Sequence, residues 1–182
     1  KAKVLAAAKR HLLAMDDAMV KVVATGDLRL VKASAIRDGT VTEFSPLQTL
    51  EKEQPDVLCS PEEAAALMKK GDRCVAILSH AWFNGDQDHP DLSHGKMAAI
   101  RNYLQHCEEV EAIFIDYMCV PQVLEPGTHE RSAADQARYD SAAGVMPNLY
   151  ASPMGTRVVR LKASDPARPY DDRGWCILET VS

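Results

Sequence analysis

Three short stretches hold most of the residues whose types could do chemistry. Ser79, His80 and Trp82 follow one apolar run, Asp116 and Tyr117 end another, and Trp175, Cys176 and Glu179 open a block near the end of the sequence. Carboxylates, an imidazole and a hydroxyl can move protons or hold a polar ligand, and indole rings can stack on a planar one. Each residue also has a plain structural use. Ser79 can satisfy loop backbone, His80 and His89 can be surface residues, and Trp82 and Trp175 can plug a core. Asp116 can cap a turn, and Glu179 can complement a helix dipole. They make a site only if the fold brings them to one place.

Two other chemistries are weaker. Asp86, Asp88, His89, Asp91 and His94 are rich in metal-type ligands. Their spacing matches neither an EF-hand loop nor a paired zinc motif, so the stretch reads as a solvated acidic loop and no metal is assigned. A Cys–His hydrolase would need Cys119 or Cys176 beside His80, and no local cysteine-protease signature is present. The five cysteines (Cys59, Cys74, Cys107, Cys119, Cys176) form no CxxC pair. Cys74, Cys119 and Cys176 sit in apolar stretches, the pattern of free, reduced thiols in an intracellular protein.

The elements that would carry these residues alternate in kind. Leu5, Ala8, Leu12, Met15, Met19 and Val22 form a seam along a helix over residues 3–24, which Gly26 stops. Residues 27–45 are ambiguous, with Leu28, Leu30 and Ile36 in short extended pieces, and 45–60 reads as a connecting segment around Pro46 and Pro55. Ser60, Pro61, Glu62 and Glu63 open a helix that Gly71 closes. Apolar runs at 74–79, 110–116 and 157–161 predict buried strands, separated by helices over 96–108 and 131–150. A last helix starts at Trp175. This βαβαβα order predicts an α/β layer whose three strands are adjacent and parallel. Ligands bind beyond the carboxyl ends of such strands, where Ser79, Trp82, Asp116 and Glu179 would gather.

Composition narrows the class. The 182 residues are 46% hydrophobic and 26% charged, with a net charge of −5. That balance excludes disorder over most of the length and provides no basic footprint for nucleic acid. No apolar run approaches the roughly 18 residues of a membrane span. The expected location is intracellular and cytoplasmic; because the sequence opens on Lys1, an organelle-targeting segment ahead of it stays open.

The segments ILSHAW with HPD after it, IFIDYMCVPQ, and YDDRGWCILE together resemble the HET-like branch of the TIR-type α/β domains. HET domains carry a comparable strand-end block, a "WIDxxCINQ"-like second block and an "RGWxxQE"-like third. TIR domains carry "WCxxE", which Trp175, Cys176 and Glu179 match in spacing. The likeness spans residues 60–182. It implies a TIR/HET-like flavodoxin-type layer with a short parallel sheet, plus an N-terminal helical extension. On that reading residues 1–45 are the helix and extension, and 46–182 are the α/β domain, truncated at its C-terminus.

The resemblance also implies an activity in a defence or stress pathway: cleavage of NAD at the nicotinamide–ribose bond, or binding of an NAD-derived nucleotide. Glu179 would be the catalytic carboxylate beneath the ribosyl cation. Ser79, Trp82, Asp116 and Trp175 would contact the dinucleotide, which is substrate rather than resident cofactor. TIR-type domains also serve as non-catalytic interaction modules, so the alternative is a structural subunit that self-associates or joins a larger assembly through its N-terminal helix.

Overall fold

A computed structural model describes residues 2–80, 89–91, 94–124, 130–151 and 155–162, with side chains from Ala14 onward. Helix α1 spans Ala2–Thr25, and Gly26 ends it at φ +79°, a left-handed conformation that suits a residue without Cβ. Met19 and Val23 are buried, Val20 and Val22 are half-buried, and α1 lies against helix α4 (Pro61–Lys70) and helix α8 (Met146–Ala151). The described half of the seam is thus covered by its own domain. The side chains of Leu5, Ala8 and Leu12 lie outside the described residues.

Helix α4 follows local rules from end to end. Ser60 Oγ accepts the Glu63 N–H at 3.1 Å, Glu63 Oε2 accepts the Ser60 N–H at 2.8 Å, and Gly71 closes the helix at φ +67°. The segment before it differs from expectation. Val31–Lys32 is a short strand β1, and Ile36 belongs to helix α2 (Ala33–Arg37) rather than to an extended piece. Helix α3 (Leu47–Glu53) occupies what the prolines suggested was a connection. Its anchors are the buried Leu47 and Leu50, and Glu51 is held by Arg29 at 3.0 Å and Arg138 at 2.7 Å. Such a short helix has little stability of its own and forms because the core and these guanidiniums fix it.

Strand β2 (Val75–His80) is buried throughout, and helix α5 (Gly95–His106) leads to strand β3 (Ala112–Phe114). A single turn, α6 (Asp116–Cys119), follows β3. The helix expected over 131–150 is divided near Gly144 into α7 (Ala133–Ala143) and α8. Strand β4 (Thr156–Leu161) completes a four-stranded sheet of order β1-β3-β2-β4.

The three expected strands are adjacent and parallel: β2 pairs with β3 from Val75↔Ala112 and with β4 from Val75↔Thr156 to His80↔Leu161. Strand β1 adds an antiparallel edge to β3 through Val31↔Ile113, and Val31 also bridges Leu58. The sheet is therefore mixed, and part of the N-terminal region closes the edge of β3.

This order places β3 and β4 on opposite sides of β2. Right-handed crossovers then carry α5 over one face of the sheet and α7–α8 over the other. The helix contacts agree, since α5 packs with α2 whereas α8 packs with α1. The connections leaving β2 and β3 therefore run to opposite faces of the sheet. No helix among the described residues is long and apolar enough to cross a membrane.

Candidate functional site

His80 is the last residue of β2 and Asp116 follows β3, so both stand at the carboxyl ends of these strands. His80 Nε2 lies 3.1 Å from Asp116 Oδ1, and the Tyr117 N–H donates to the same oxygen at 2.7 Å. Burial pushes the Asp116 carboxyl up, but attraction to His80, the His80 and Tyr117 hydrogen bonds and the charge of Lys96 outweigh it. The result lies below the ordinary carboxylate range, so the group is ionised and only accepts. His80 Nε2 must then carry the proton.

The other ring nitrogen, Nδ1, is buried and finds no hydrogen-bond partner among the described residues. The His80 side chain is 1% exposed, whereas that of Asp116 keeps 30%. The Phe44 ring stands edge-on to the imidazole at 5.6 Å and 87°. Asp116 Oδ2 receives no hydrogen bond from the described residues, because both donors converge on Oδ1.

A second tier supports this pair. His89 Nε2 donates to the Phe44 carbonyl at 2.9 Å while its Nδ1 accepts the Asp91 N–H at 3.1 Å, which sets its tautomer. Its ring lies edge-on to Tyr117 at 5.4 Å. Asp91 is fully buried; its Oδ1 accepts the Lys96 N–H at 3.1 Å and its Oδ2 the Met97 N–H at 2.9 Å. It satisfies the start of α5 where His94, at φ +55°, provides no side-chain cap. Lys96 is fully buried too, with Nζ donating to the Pro90 carbonyl at 2.6 Å. The described part of the stretch expected to be a solvated acidic loop is therefore a buried helix entry, except for the exposed His94.

Among the expected site residues, Asp116 lies at the strand ends as anticipated. Ser79 is also at the end of β2 but is fully buried, and strand alternation turns it to the face opposite His80. Trp82, Trp175 and Glu179 lie outside the described residues, as does Cys176. The signals for His80, Asp91 and Lys96 were faint. His80 extends an apolar run, and Asp91 precedes a helix start, a common capping position.

Cys119 is no nucleophile for His80. It is fully buried, its Sγ accepts the Ile115 N–H at 3.3 Å and donates to the Ile113 carbonyl at 3.8 Å, and burial pushes its thiol up to about 12. Cys59, Cys74 and Cys107 are likewise free. Gln122 exchanges hydrogen bonds with Gln48, donating its N–H to Oε1 at 3.1 Å and accepting Nε2 at 2.8 Å on its carbonyl. Both line a cleft of about 380 Å³ with Arg131, Ser132 and Asp135.

At the opposite ends of β2 and β3, ligand-type atoms of Asp72, Cys74 and Glu111 lie within 4.8 Å of one another. Lys70 Nζ bridges the two carboxylates, at 2.9 Å from Asp72 and 2.6 Å from Glu111, and so offsets one of their two negative charges. No family model, curated protein or solved structure matches this chain.

Proposed function

We propose that the chain is a TIR/HET-like α/β domain that acts on NAD at the nicotinamide–ribose bond, with Glu179 as the carboxylate that stabilises the ribosyl cation. The observation that carries this reading is the sheet order. The first parallel strand lies between the other two, the arrangement with which a flavodoxin-type layer begins, and it brings His80 of the first block beside Asp116 of the second. The His80–Asp116 pair adds polar chemistry at the carboxyl ends of these strands. Nicotinamide is a competent leaving group, so the protein needs chiefly to orient the ribose and to place negative charge near the developing cation.

The test is nicotinamide release from NAD by the purified protein, under conditions that allow self-association. Glu179→Gln, nearly isosteric but uncharged, should lower turnover on the order of 10²-fold or more while NAD binding suffers less. Equal turnover in both proteins would remove Glu179 from the mechanism. No release by either, in an assembled state, would replace this reading with the interaction-module one.

A further inference from the structure

Helix α1 begins with a charge pattern that the rest of the chain does not share. Residues 1–15 hold Lys1, Lys3, Lys9 and Arg10, with His11, and no Asp or Glu. The whole chain has 21 Lys and Arg against 26 Asp and Glu, so this segment stands at +4 and everything after it at −9. Its apolar residues are ordered as well. At about 100° per residue, Val4, Leu5, Ala8, Leu12 and Met15 fall within one arc of about 100°. Lys3 and Arg10 fall on the opposite face and Lys9 beside the arc; Leu13 is the one large apolar residue of the segment outside it.

Cover for this face fades toward the start of the helix. α1 is 24 residues long, about 36 Å, whereas α4 and α8, which lie against it, have 10 and 6 residues, about 15 and 9 Å. Val23 and Met19 are fully buried. Met15, one turn further out on the same seam, is half-buried and lies outside the hydrophobic core that the described residues form. Residues 2–14 continue the helix beyond it.

We infer that the first half of α1 is an interfacial helix that docks on an anionic lipid surface, lying in its plane on the face that holds Val4, Leu5, Ala8 and Leu12. Charge complementarity selects this occupant. The same segment of a second copy would bring like charges together. The acidic remainder of a second copy offers charge but no apolar seat, since Val123 and Leu124 are the exposed large hydrophobics among the described residues. A nucleic acid would satisfy the cations and leave the apolar arc in water. An anionic headgroup layer satisfies both. It also repels the −9 remainder, which turns the body away from the surface and confines attachment to α1.

The experiment measures sedimentation of the whole chain with vesicles of phosphatidylcholine alone, or of phosphatidylcholine and phosphatidylserine in equal parts. Binding should be on the order of 10-fold or more stronger on the anionic vesicles and should fall as salt is raised. Lys9→Glu with Arg10→Glu should weaken it on the order of 10-fold or more, the scale of two basic residues beside such a surface. Leu5→Ser with Leu12→Ser should weaken it by a similar factor with every charge kept, and the urea midpoint should stay where it was.

Each contrary result overturns the inference in its own way. No binding, or equal binding to both vesicle types, removes the anionic surface. Full binding by the charge-reversed variant removes the cations from the contact. Full binding by the serine variant leaves charge alone as the signal and points to an acidic macromolecule instead of a bilayer. A lowered urea midpoint for the serine variant gives the apolar face to the protein's own body. A doubled mass in light scattering without vesicles, abolished by the same serine pair, gives it to a second copy.

Discussion

At the carboxyl ends of β2 and β3, Asp116 is half-buried and bonded through one oxygen to a buried histidine, its second oxygen having no hydrogen-bond partner among the described residues. At the amino ends of the same strands, Asp72 and Glu111 are exposed and share Lys70. The two clusters use similar groups at similar distances. They differ in solvent. Water and salt screen the Lys70 cluster, so its geometry can be lost at little cost. The His80 ring is 1% exposed, so its pair with Asp116 is screened less and an unmade hydrogen bond on the histidine costs stability. A fold that keeps such a pair at its strand ends retains a feature that packing alone would favour replacing with apolar side chains.

The largest expected effect tests this contrast directly. Asp116→Ala strands the His80 Nε2–H and the Tyr117 N–H, and should cost about 3 kcal/mol. The readout is a shift in the urea midpoint at constant slope. An unmoved midpoint would place the pair on the same footing as a surface contact.

Thiol reactivity should separate buried from accessible positions. Burial raises the Cys119 thiol, and burial with Asp72 and Glu111 nearby raises Cys74, each up to about 12; burial raises Cys59 to about 11. At pH 8 the thiolate fraction of a group at 12 is about a thousandth of that of an ordinary cysteine. In the native protein Cys107, only half-buried, should therefore react with a maleimide long before Cys119. Rapid labelling of Cys119 would contradict its placement. Because these folded values lie above the unfolded one, the stability they carry is present below about pH 8.5 and is lost as pH rises toward 11–12.

Acid should distinguish the two ends by salt dependence. The folded pKa of Asp116 is lowered, so its contribution is present above the unfolded value of about 4 and is lost as pH falls through the folded one. Asp72, lowered to about 2 by its hydrogen bonds with Cys74 and Lys70, follows the same sign. In 1 M salt the Asp72 contribution should fade while that of Asp116 persists, and His80→Leu should flatten the Asp116 part. An acid-unfolding profile that salt alone flattens would sink the contrast.

The smallest effect belongs to Lys70→Met. Its side chain is 52% exposed, and at physiological salt the urea midpoint should stay within measurement error. A resolved loss would mean that the amino-end cluster is structurally coupled after all.

Legibility followed the range of the interactions involved. Ser60 to Gly71 was readable because a capping box and a left-handed glycine are local devices, and β2, β3 and β4 were readable as apolar runs. Helix α3 was not, since two prolines flank it and its stability comes from Leu47, Leu50 and the Glu51 guanidinium contacts. Asp116 was visible as a polar residue ending a strand, but its pairing with His80 was not: one residue's difference in register moves a side chain to the other face of the sheet, and which side chain meets a partner 36 positions away is not a local property.

What the sequence determined by itself is the alternation of β2, β3 and β4 with the helices between them, the two ends of α4, the glycine that stops α1 and the free state of the described cysteines. Spacing, capping chemistry and turn geometry act over a few residues and need no partner. Only the tertiary structure decided that β2 lies between β3 and β4, that β1 closes an edge antiparallel, and that His80 faces Asp116 across 36 positions of chain. It also decided that Asp91 and Lys96 are buried rather than solvated. Those outcomes depend on which surfaces meet and exclude water, and on hydrogen bonds made by groups remote in sequence, energies that exist only once the layers have closed.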